Sequence, residues 1–530
     1  MSASSTPRRD GPVVAERPQP GTPRPYEFPS VTTTRLRNGL SILVADLPGR
    51  PLVSATVVIP AGAADEPADQ GGATVLMARA LSEGTERYDA IALTEASERL
   101  GASLHAEAGW DALSAGVDVP ASRLEPALDL LAEVLLRPTF PAADVERLRD
   151  ERLNDLLQAQ ADPRRRAEEA YVGTIYAPSS PYHRSSGGTR ETVEWLGRDI
   201  LAATHARMVH PDAASLIVAG DLGGLDVVAV ARRLFAGWAS SGGWSAGAPV
   251  DTASDAGRIV RVVHRPGSVQ TEIRIGHRGL PRQIADFHAV SLMSAILGGL
   301  FNSRLNMQLR EAKGYTYGAG AGFDLRRGAG PFTARAAVNT EVTVPAIVDT
   351  LAELERMRDE PVTAAELAAA RDFLVGVFPL RFETPGAVVG ALSGLAVHGL
   401  SIDELIRYRE RIEAVDIAAV AAAARAHLHV DEASIVLVGD ADAFGADLEA
   451  AGLGRVVVER DDAPAQDGPR AEDEVAAAVA PTDSLDEEGP TAGAKDPDMP
   501  GSADEPAGAD IDGDAVAPVS GGVAPTSGDA

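Results

Sequence analysis

The sequence predicts an α+β protein that consists of two homologous tandem domains and disordered termini. Three observations support this fold class: an internal repeat, short strand patterns that alternate with helix patterns in each copy, and a strongly acidic C-terminal segment without aromatic residues. Because hairpin signals are mixed with amphipathic helices, each copy is expected to form a mixed sheet with helices packed on one face. At 530 residues the chain is also too long for one ordinary hydrophobic core.

The internal repeat is the strongest signal in the chain. Gly101 and the run Gly109-Trp110-Asp111 recur, at one constant spacing, as Gly314 and Gly322-Phe323-Asp324. Further matched pairs are His210 and His429, Asp212 and Asp431, Ser215 and Ser434, Gly220 and Gly439, and Asp221 and Asp440. The order never changes and the period is long, so the repeat indicates two copies of one domain and not a solenoid.

Changes in composition give the predicted domain limits. They are a disordered N-terminal arm at 1–30, a first domain at 31–238, a Gly/Ser/Ala-rich linker at 239–257, a second domain at 258–459, and a disordered acidic tail at 460–530. From residue 461 onward the tail holds 18 acidic and 2 basic residues, and such a segment cannot bury enough apolar surface to offset its ordering entropy. Solubility and partner docking remain alternative roles for this tail.

Local patterns predict the elements of the first copy. Asn38-Gly39 is a two-residue hairpin signal before the strand at 41–45, and Gly101 ends a helix that begins at Ile91. We predict further strands at 52–59, 102–108, 112–119 and 215–219 and further helices at 73–81, 124–136 and 144–159.

Composition excludes several classes of function. The chain has no Cys, which excludes disulfides, thiolate nucleophiles and Cys-based metal sites. The net charge of −29 argues against binding to nucleic acid. We find neither an apolar run long enough for membrane insertion nor a secretion signal, so a cytoplasmic location is the default expectation.

The first half carries an ordered series of motifs. Its members are Arg35-Leu36-Arg37-Asn38-Gly39-Leu40, Gly62-Ala63-Ala64-Asp65-Glu66-Pro67, Gly71-Gly72, Gly84-Thr85, Asp162-Pro163 and Ser180-Pro181-Tyr182. In this order and spacing, the series resembles the insulinase-like (pitrilysin) zinc-peptidase family, and the resemblance continues through both repeats. Active members of that family carry an inverted zinc motif, H-x-x-E-H, on the helix after the glycine pair. Its two histidines bind the metal, and its glutamate activates the metal-bound water.

This chain departs from the family at the zinc motif. The corresponding positions hold Val75, Ala78 and Arg79, which offer no lone pair to Zn²⁺ and no general base at neutral pH. A third ligand would fall near Asn154 and Asp155, and Asp155 alone does not make a site. The resemblance therefore implies a chain that binds no cofactor, has no catalytic residue of its own, and depends on a partner for zinc.

Histidine spacing offers no replacement metal site. His205 and His210 lie five residues apart, a poor spacing for one helix face, and His427 and His429 lie at a predicted helix-to-strand junction with no obvious third ligand. We expect all four to be satisfied core or surface side chains.

The second half keeps residues that the family uses to hold substrate. Arg310, near the end of a predicted helix, and Tyr317 match the pair that, in the family, holds the substrate backbone beside the zinc. A guanidinium and a phenol can donate to the oxyanion that develops on a peptide carbonyl. The structural alternative is that Arg310 lies along the helix end and Tyr317 fills core. Gly298 and Gly299 either allow a bound strand to approach closely or shape a break in the helix.

Two further expectations concern the segment that joins these residues. Gly314 is expected to end the helix that carries Arg310, and 315–319 to form the next strand.

The resemblance implies a non-catalytic, substrate-binding subunit of a heterodimeric zinc-dependent endopeptidase. The partner would be an insulinase-like chain with an intact zinc motif, as in bacterial pairs of this family, and the substrate a peptide or unfolded polypeptide that adds a strand to a sheet edge. The alternative is a catalytically dead scaffold subunit of a larger complex. An active zinc peptidase with unorthodox ligands is the third interpretation.

Overall fold

The computed structural model describes residues 25–49, 51–240, 252, 254 and 257–460. The predicted N-terminal arm up to residue 24, most of the linker and the tail beyond residue 460 lie outside these residues. The strands are β1 (Thr32–Arg35), β2 (Ser41–Asp46), β3 (Leu52–Ile59), β4 (Ser103–Ala108), β5 (Leu113–Pro120), β6 (Ser215–Gly220), β7 (Ile259–His264), β8 (Gln270–Arg278), β9 (Ala319–Phe323), β10 (Pro331–Asn339), β11 (Ser434–Gly439) and β12 (Arg455–Arg460).

Helices make up most of the remaining structure. They are α1 (Ala73–Ala80), α2 (Ala90–Leu100), α3 (Leu124–Leu136), α4 (Ala142–Ala161), α5 (Pro163–Ile175), α6 (Arg190–Val193), α7 (Arg198–Met208), α8 (Val227–Phe235), α9 (Phe287–Ser294), α10 (Thr343–Asp359), α11 (Ala364–Val377), α12 (Pro385–His398), α13 (Asp403–Ile406), α14 (Tyr408–Ala414), α15 (Ile417–His427) and α16 (Ala441–Ala450). Two π-helical segments, Ala295–Gly299 and Asn306–Ala312, lie between α9 and β9.

The strands form two six-stranded mixed sheets, one in each half of the chain. Their strand orders are β1-β2-β6-β3-β5-β4 and β12-β7-β11-β8-β10-β9. Five strands correspond between the sheets, and only the outermost differs: β1 pairs antiparallel with β2, whereas β12 pairs parallel with β7. This topology confirms the predicted α+β class and the two tandem domains.

The hairpin between β1 and β2 is longer than predicted. Arg35 pairs with Ser41, so the loop contains the five residues between them instead of two. Gly39 has φ of +99°, and a Cβ there would lie 2.7 Å from the Cα of Asp212. A glycine is therefore required where this turn packs against the loop before β6.

Each sheet has its own helices on one face and one helix from the other domain on the opposite face. Helix α12 of the second half packs on β3 and β6 of the first sheet, where Val388 and Leu392 meet Val58 and Ile217. Helix α5 of the first half packs on β8 and β11 of the second sheet. The prediction of helices on one face is correct for the domain's own helices, but the opposite face is covered by this exchange.

Buried polar contacts also join the two domains. The guanidinium of Arg327 lies 2.7 Å from Asp65 and 3.3 Å from Asp111, and the backbone N–H of Arg327 donates to Asp111 at 2.8 Å. The hydroxyl of Tyr176 donates to the carbonyl of Ala329 at 2.8 Å, and that of Tyr171 donates to the carbonyl of Phe332. Burial raises the pKa of both tyrosines, so they stay protonated and remain donors.

The N-terminal arm is shorter than predicted, because residues 25–30 belong to the folded structure. Phe28 is 8% exposed and packs edge-on against Phe382 at 5.0 Å between ring centroids, and Tyr26 stacks on the same ring. These aromatic rings offset the ordering entropy of a Pro-rich segment. Within the described part of the chain, no helix has the length and apolarity needed to cross a bilayer.

Candidate functional site

The positions that correspond to the zinc motif lie on α1. This helix begins after Gly72, whose φ of +93° and close approach to the Gly187 carbonyl exclude a side chain. Ala78 is 1% exposed and belongs to the core of the first domain. Val75 and Arg79 lie one turn apart on α1, as the two histidines of the motif would, and Arg79 is part of the protein surface, with 40% of its side chain exposed.

Arg79 forms ion pairs at the place where the family would hold zinc. Its guanidinium lies 3.2 Å from a carboxylate oxygen of Glu151 and 3.8 Å from one of Asp155, both on α4. Asp155 is the residue for which the resemblance suggests a third-ligand position. The arginine thus connects α1 to α4 through its charge, and sequence analysis did not identify Glu151 as its second partner.

These carboxylates belong to a larger ion-pair network. Arg147 lies 2.7 Å from Glu151 and 2.7 Å from Glu83. Hydrogen bonds to these two carboxylates raise the pKa of Arg147. Glu151 is therefore shared between two guanidinium groups, which leaves it no free charge for a metal ion.

The residues at the zinc-motif positions do not fit a zinc ion. Val75, Ala78 and Arg79 supply no ligand atom, and the two carboxylates nearest to them are paired with arginine. The same positions supply no general base to activate water. The first domain therefore has no means of peptide hydrolysis at this location.

Two of the histidines considered above, His205 and His427, have protein partners for their side chains. The Nε2 atom of His205 lies 2.8 Å from the Leu135 carbonyl, and that of His427 lies 2.8 Å from Asp286. The backbone N–H of His429 donates to the Nε2 atom of His277 at 3.1 Å. Burial lowers the pKa of both His205 and His277, so both are neutral at physiological pH.

One other cluster has metal-ligand chemistry but is satisfied internally. His264, Asp440 and Asp442 place ligand atoms within 4.8 Å of one another. The Nδ1 atom of His264 accepts from the backbone N–H of Ala441 at 3.1 Å, so its proton lies on Nε2, toward Asp442. Asp440 caps α16 and Asp442 pairs with Arg460 at 2.5 Å. These contacts account for the cluster without a metal.

On the second domain, the Tyr317 side chain is exposed and the Arg310 side chain is half-buried. Arg310 lies in the π-helical segment Asn306–Ala312, with its guanidinium carbon 4.4 Å above the ring of Phe301 and Nε 3.4 Å from Glu311. Tyr317 is 94% exposed and Phe301 70% exposed. Within the described residues, Tyr317 forms no hydrogen bond, and no cation–π contact joins its ring to Arg310.

The segment between these two residues differs from the prediction. Gly314 has φ of +66° and follows the helical segment, as expected. The next strand begins at Ala319 instead of residue 315, because Thr316 accepts from and donates to Gly318 and so closes a turn. This turn carries Tyr317 outward, which contradicts the alternative that Tyr317 fills core.

The two glycines after α9 have different surroundings. A Cβ on Gly298 would lie 2.1 Å from the backbone nitrogen of Ala321 on β9, whereas a Cβ on Gly299 would approach nothing closer than the Ser294 carbonyl at 3.3 Å. Gly298 is thus needed for the π-helical segment to pack against the edge of the second sheet.

Phe301 is the site residue that sequence reasoning missed. It lies in the motif that contains Gly298 and Gly299, but nothing in that motif indicates that its aromatic side chain is exposed to solvent. Its ring supports the Arg310 guanidinium by a cation–π contact and limits the directions that the guanidinium can take. Met307, about half exposed, adds a further apolar side chain to this surface. The arrangement offers directed donors on an apolar platform, which suits a peptide backbone.

Comparisons with known proteins identify the family of the chain. A family model described as insulinase (peptidase family M16) matches residues 41–180, and one described as the peptidase M16 inactive domain matches residues 196–374. An uncharacterized zinc protease of Mycobacterium tuberculosis is 26% identical over 413 residues, which cover 76% of this chain and 92% of that protein. A Helicobacter pylori protein described as "Non-peptidase homolog YmxG" is 22% identical over 379 residues, which cover 70% and 85%.

Solved structures share the architecture. The crystal structure of a peptidase M16 inactive domain from Pseudomonas fluorescens is similar with a TM-score of 0.72 and 26% identity, over 77% of this chain and 98% of that one. A protease from Helicobacter pylori has a TM-score of 0.73 at 18% identity, over 78% and 100%, which shows the fold alone. The two family models together cover more than half of the chain. The chain therefore belongs to the insulinase (peptidase M16) family, as a member whose sequence contains no H-x-x-E-H motif.

Proposed function

We propose that this chain is the non-catalytic, substrate-binding subunit of a heterodimeric zinc-dependent endopeptidase. The observation that carries the proposal is an asymmetry between the domains. In the first, Arg79 is held by Glu151 and Asp155 where the family would bind zinc. In the second, the Tyr317 hydroxyl is exposed without a partner among the described residues, and the half-buried Arg310 guanidinium lies over Phe301 with Nε beside Glu311. A partner of the same family would supply the intact zinc motif.

The roles of the two side chains follow from their chemistry. The Arg310 guanidinium directs several N–H donors, while the Tyr317 hydroxyl is a single donor on a turn. Both can bind carbonyl oxygens of an extended polypeptide and stabilise negative charge that develops on one of them. Contacts to the backbone favour peptides and unfolded polypeptides over any particular side-chain sequence.

The decisive experiment is hydrolysis of a fluorogenic unfolded polypeptide by three samples. They are this chain alone, a zinc-motif relative from the same cell, and their mixture. We expect cleavage only by the mixture, and we expect a chelator to stop it. If the relative cleaves equally well alone and never co-purifies with this chain, the scaffold interpretation replaces the proposal.

A double variant tests the residues. Arg310→Ala with Tyr317→Phe is expected to slow the mixture by about 100-fold, in the range found for lost oxyanion donors, with unchanged assembly on size exclusion. Arg407→Ala, at an exposed arginine of the second domain that pairs with Glu410, is the matched control and should leave turnover unchanged. Full turnover in the double variant would remove the assigned roles.

A further inference from the structure

The second sheet carries an unpaired arginine on the face that also receives α5. Ala334 and Ala336 of β10 point into the domain core, so Arg335 between them points to the opposite face. In the sheet register Arg335 lies directly opposite Arg274 of β8 and Gly320 of β9. Within the described residues, Arg335 forms no hydrogen bond and no ion pair.

The nearby carboxylates are already used by Arg274. That guanidinium lies 2.5 Å from Glu168 of α5 and 2.8 Å from Glu272. Arg164, at the start of α5, adds another positive charge close to Arg335. Burial, together with the charges of Arg274 and Arg164, lowers the pKa of Arg335 despite the attraction of Glu168. This cluster therefore contains three arginines, Arg164, Arg274 and Arg335, and two glutamates, so it has one excess positive charge.

The sheet surface beside Arg335 has no side chains. Ala319, Ala321 and Phe323 of β9 pack toward the core, so Gly320 and Gly322 form the opposite face of this strand. A Cβ on Gly320 would lie 3.6 Å from the Gly298 carbonyl oxygen and 3.8 Å from the Nε atom of Arg335, and a Cβ on Gly322 would meet nothing within 4 Å. A ligand group can therefore approach the guanidinium across bare backbone.

This arrangement is specific to the second domain. In the first sheet, Gly116 of β5 pairs with His105 and Thr56, as Arg335 pairs with Gly320 and Arg274. The imidazole of His105 crosses the strand there, since a Cβ on Gly116 would lie 2.4 Å from its Nε2 atom. The first sheet thus has a filled surface and no cation at the position where the second has a cation and open space.

We propose that Arg335 and the glycine face of β9 form a subsite for a carboxylate of the bound polypeptide. The inference rests on the proposed function, because it assigns a substrate class to the polypeptide that Arg310 and Tyr317 would hold. Tyr317 precedes Gly320 by three residues, so their Cα atoms are at most about 10 Å apart. A polypeptide held at Tyr317 therefore reaches Arg335 with a residue a few positions away. The carboxylate belongs to an acidic side chain or to the C-terminus of the peptide.

Binding of matched, fluorescently labelled, unstructured peptides to the full chain tests the proposal. One peptide carries a single central Glu and an amidated C-terminus, one replaces Glu with Gln, and one carries Gln with a free C-terminal carboxylate. At low ionic strength we expect the wild-type chain to bind at least one carboxylate peptide about tenfold more tightly than the neutral peptide, as charged hydrogen bonds allow. Comparison of the Glu peptide with the peptide that has a free C-terminus distinguishes a side-chain carboxylate from a terminal carboxylate.

Two variants complete the test. Arg335→Gln keeps the polar side chain and should abolish the preference while leaving affinity for the neutral peptide unchanged. Arg455→Gln, at an exposed arginine on the opposite edge of the same sheet, should keep the preference. Equal affinity of all three peptides for the wild-type chain, or a preference that survives Arg335→Gln, overturns the carboxylate subsite and leaves the peptide-holding role standing. Failure of every peptide to bind, or unchanged binding in the Arg310/Tyr317 double variant, overturns the proposed function itself.

Discussion

A single arginine determines the chemistry of the first domain. Arg79 contributes a permanent charge where the family contributes a metal ligand, and Glu151 and Asp155 respond by pairing with it. In this chain, α1 and α4 are therefore joined by ion pairs. Because the pair is exposed, its contribution to stability is small, below about 1 kcal/mol.

Restoring the two histidines should restore a metal site. Val75→His with Arg79→His places two imidazoles one turn apart on α1 and removes the guanidinium that pairs with Asp155, while Glu151 keeps its pairing with Arg147. We expect the purified double variant to retain about one zinc ion per chain, measured by elemental analysis, because three ligands then converge. Adding Glu151→Gln and Asp155→Asn to the same variant is the control and should remove the metal. A folded double variant without zinc would show that α1 and α4 do not preserve the site geometry.

Glu366 should make stability depend on acid. Burial raises its pKa, but hydrogen bonds from Arg304 and Thr363 outweigh burial and lower the pKa of Glu366 from 4.5 to about 2. Because the pKa is lower in the folded state, the stabilisation is complete above pH 4.5 and is lost as the pH falls toward 2. Glu366→Gln should lower the free energy of unfolding at pH 7 by about 2–4 kcal/mol, since it leaves the buried Arg304 unpaired.

Urea unfolding at several pH values measures this effect. The difference between wild type and Glu366→Gln should shrink as the pH falls from 4.5 to 2. The exposed Glu410 pairs with Arg407, and Glu410→Gln should leave stability nearly unchanged at every pH. A constant difference across the acid range would mean that packing, and not the carboxylate charge, explains the loss.

At the scale of elements, the sequence predicted regular strands and α-helices well, and turns and π-helical segments poorly. Strand β3 has the predicted bounds, and α2 ends at Gly101 with φ of +63°. The start of β9 was predicted incorrectly, because the Thr316 side chain closes a turn after Gly314. The alternation of apolar and polar residues, on which strand prediction relies, does not reveal such a turn. The π-helical segments were also not predicted, since the spacing of their apolar residues is nearly the same as in an α-helix.

The packing of the first π-helical segment gives a prediction about its glycines. Gly298→Ala places a Cβ 2.1 Å from the backbone nitrogen of Ala321, so β9 or the helix must move. We expect a loss of about 1–3 kcal/mol in the free energy of unfolding. Gly299→Ala is the matched control, because its closest contact is 3.3 Å, and its effect should stay below about 1 kcal/mol. If Gly298→Ala instead kept full stability and abolished peptide binding, the glycine would serve the bound strand.

At the scale of the whole molecule, α5 and α12 are exchanged between the two domains, so each sheet is covered on one face by a helix of the other half. The sequence showed two copies of a domain. The apolar face of an amphipathic helix shows that the helix is packed, but it does not show which of two similar sheets the helix covers. The pairing of Arg327 with Asp65 was equally invisible, because the two residues lie in different copies and far apart in sequence. The repeat was therefore predictable, whereas the contacts between its copies were not.

This exchange predicts that damage to α12 destabilises both halves together. Leu392 is 0% exposed and packs against the first sheet although it belongs to the second domain. Leu392→Ala should lower the free energy of unfolding by about 2–5 kcal/mol through the cavity it creates, and the whole chain should still unfold in one calorimetric transition at lower temperature. Leu157→Ala, the same change at an exposed position of α4, should leave that transition in place. Two transitions, of which the substitution moves only one, would show instead that each domain is stable without the helix it receives.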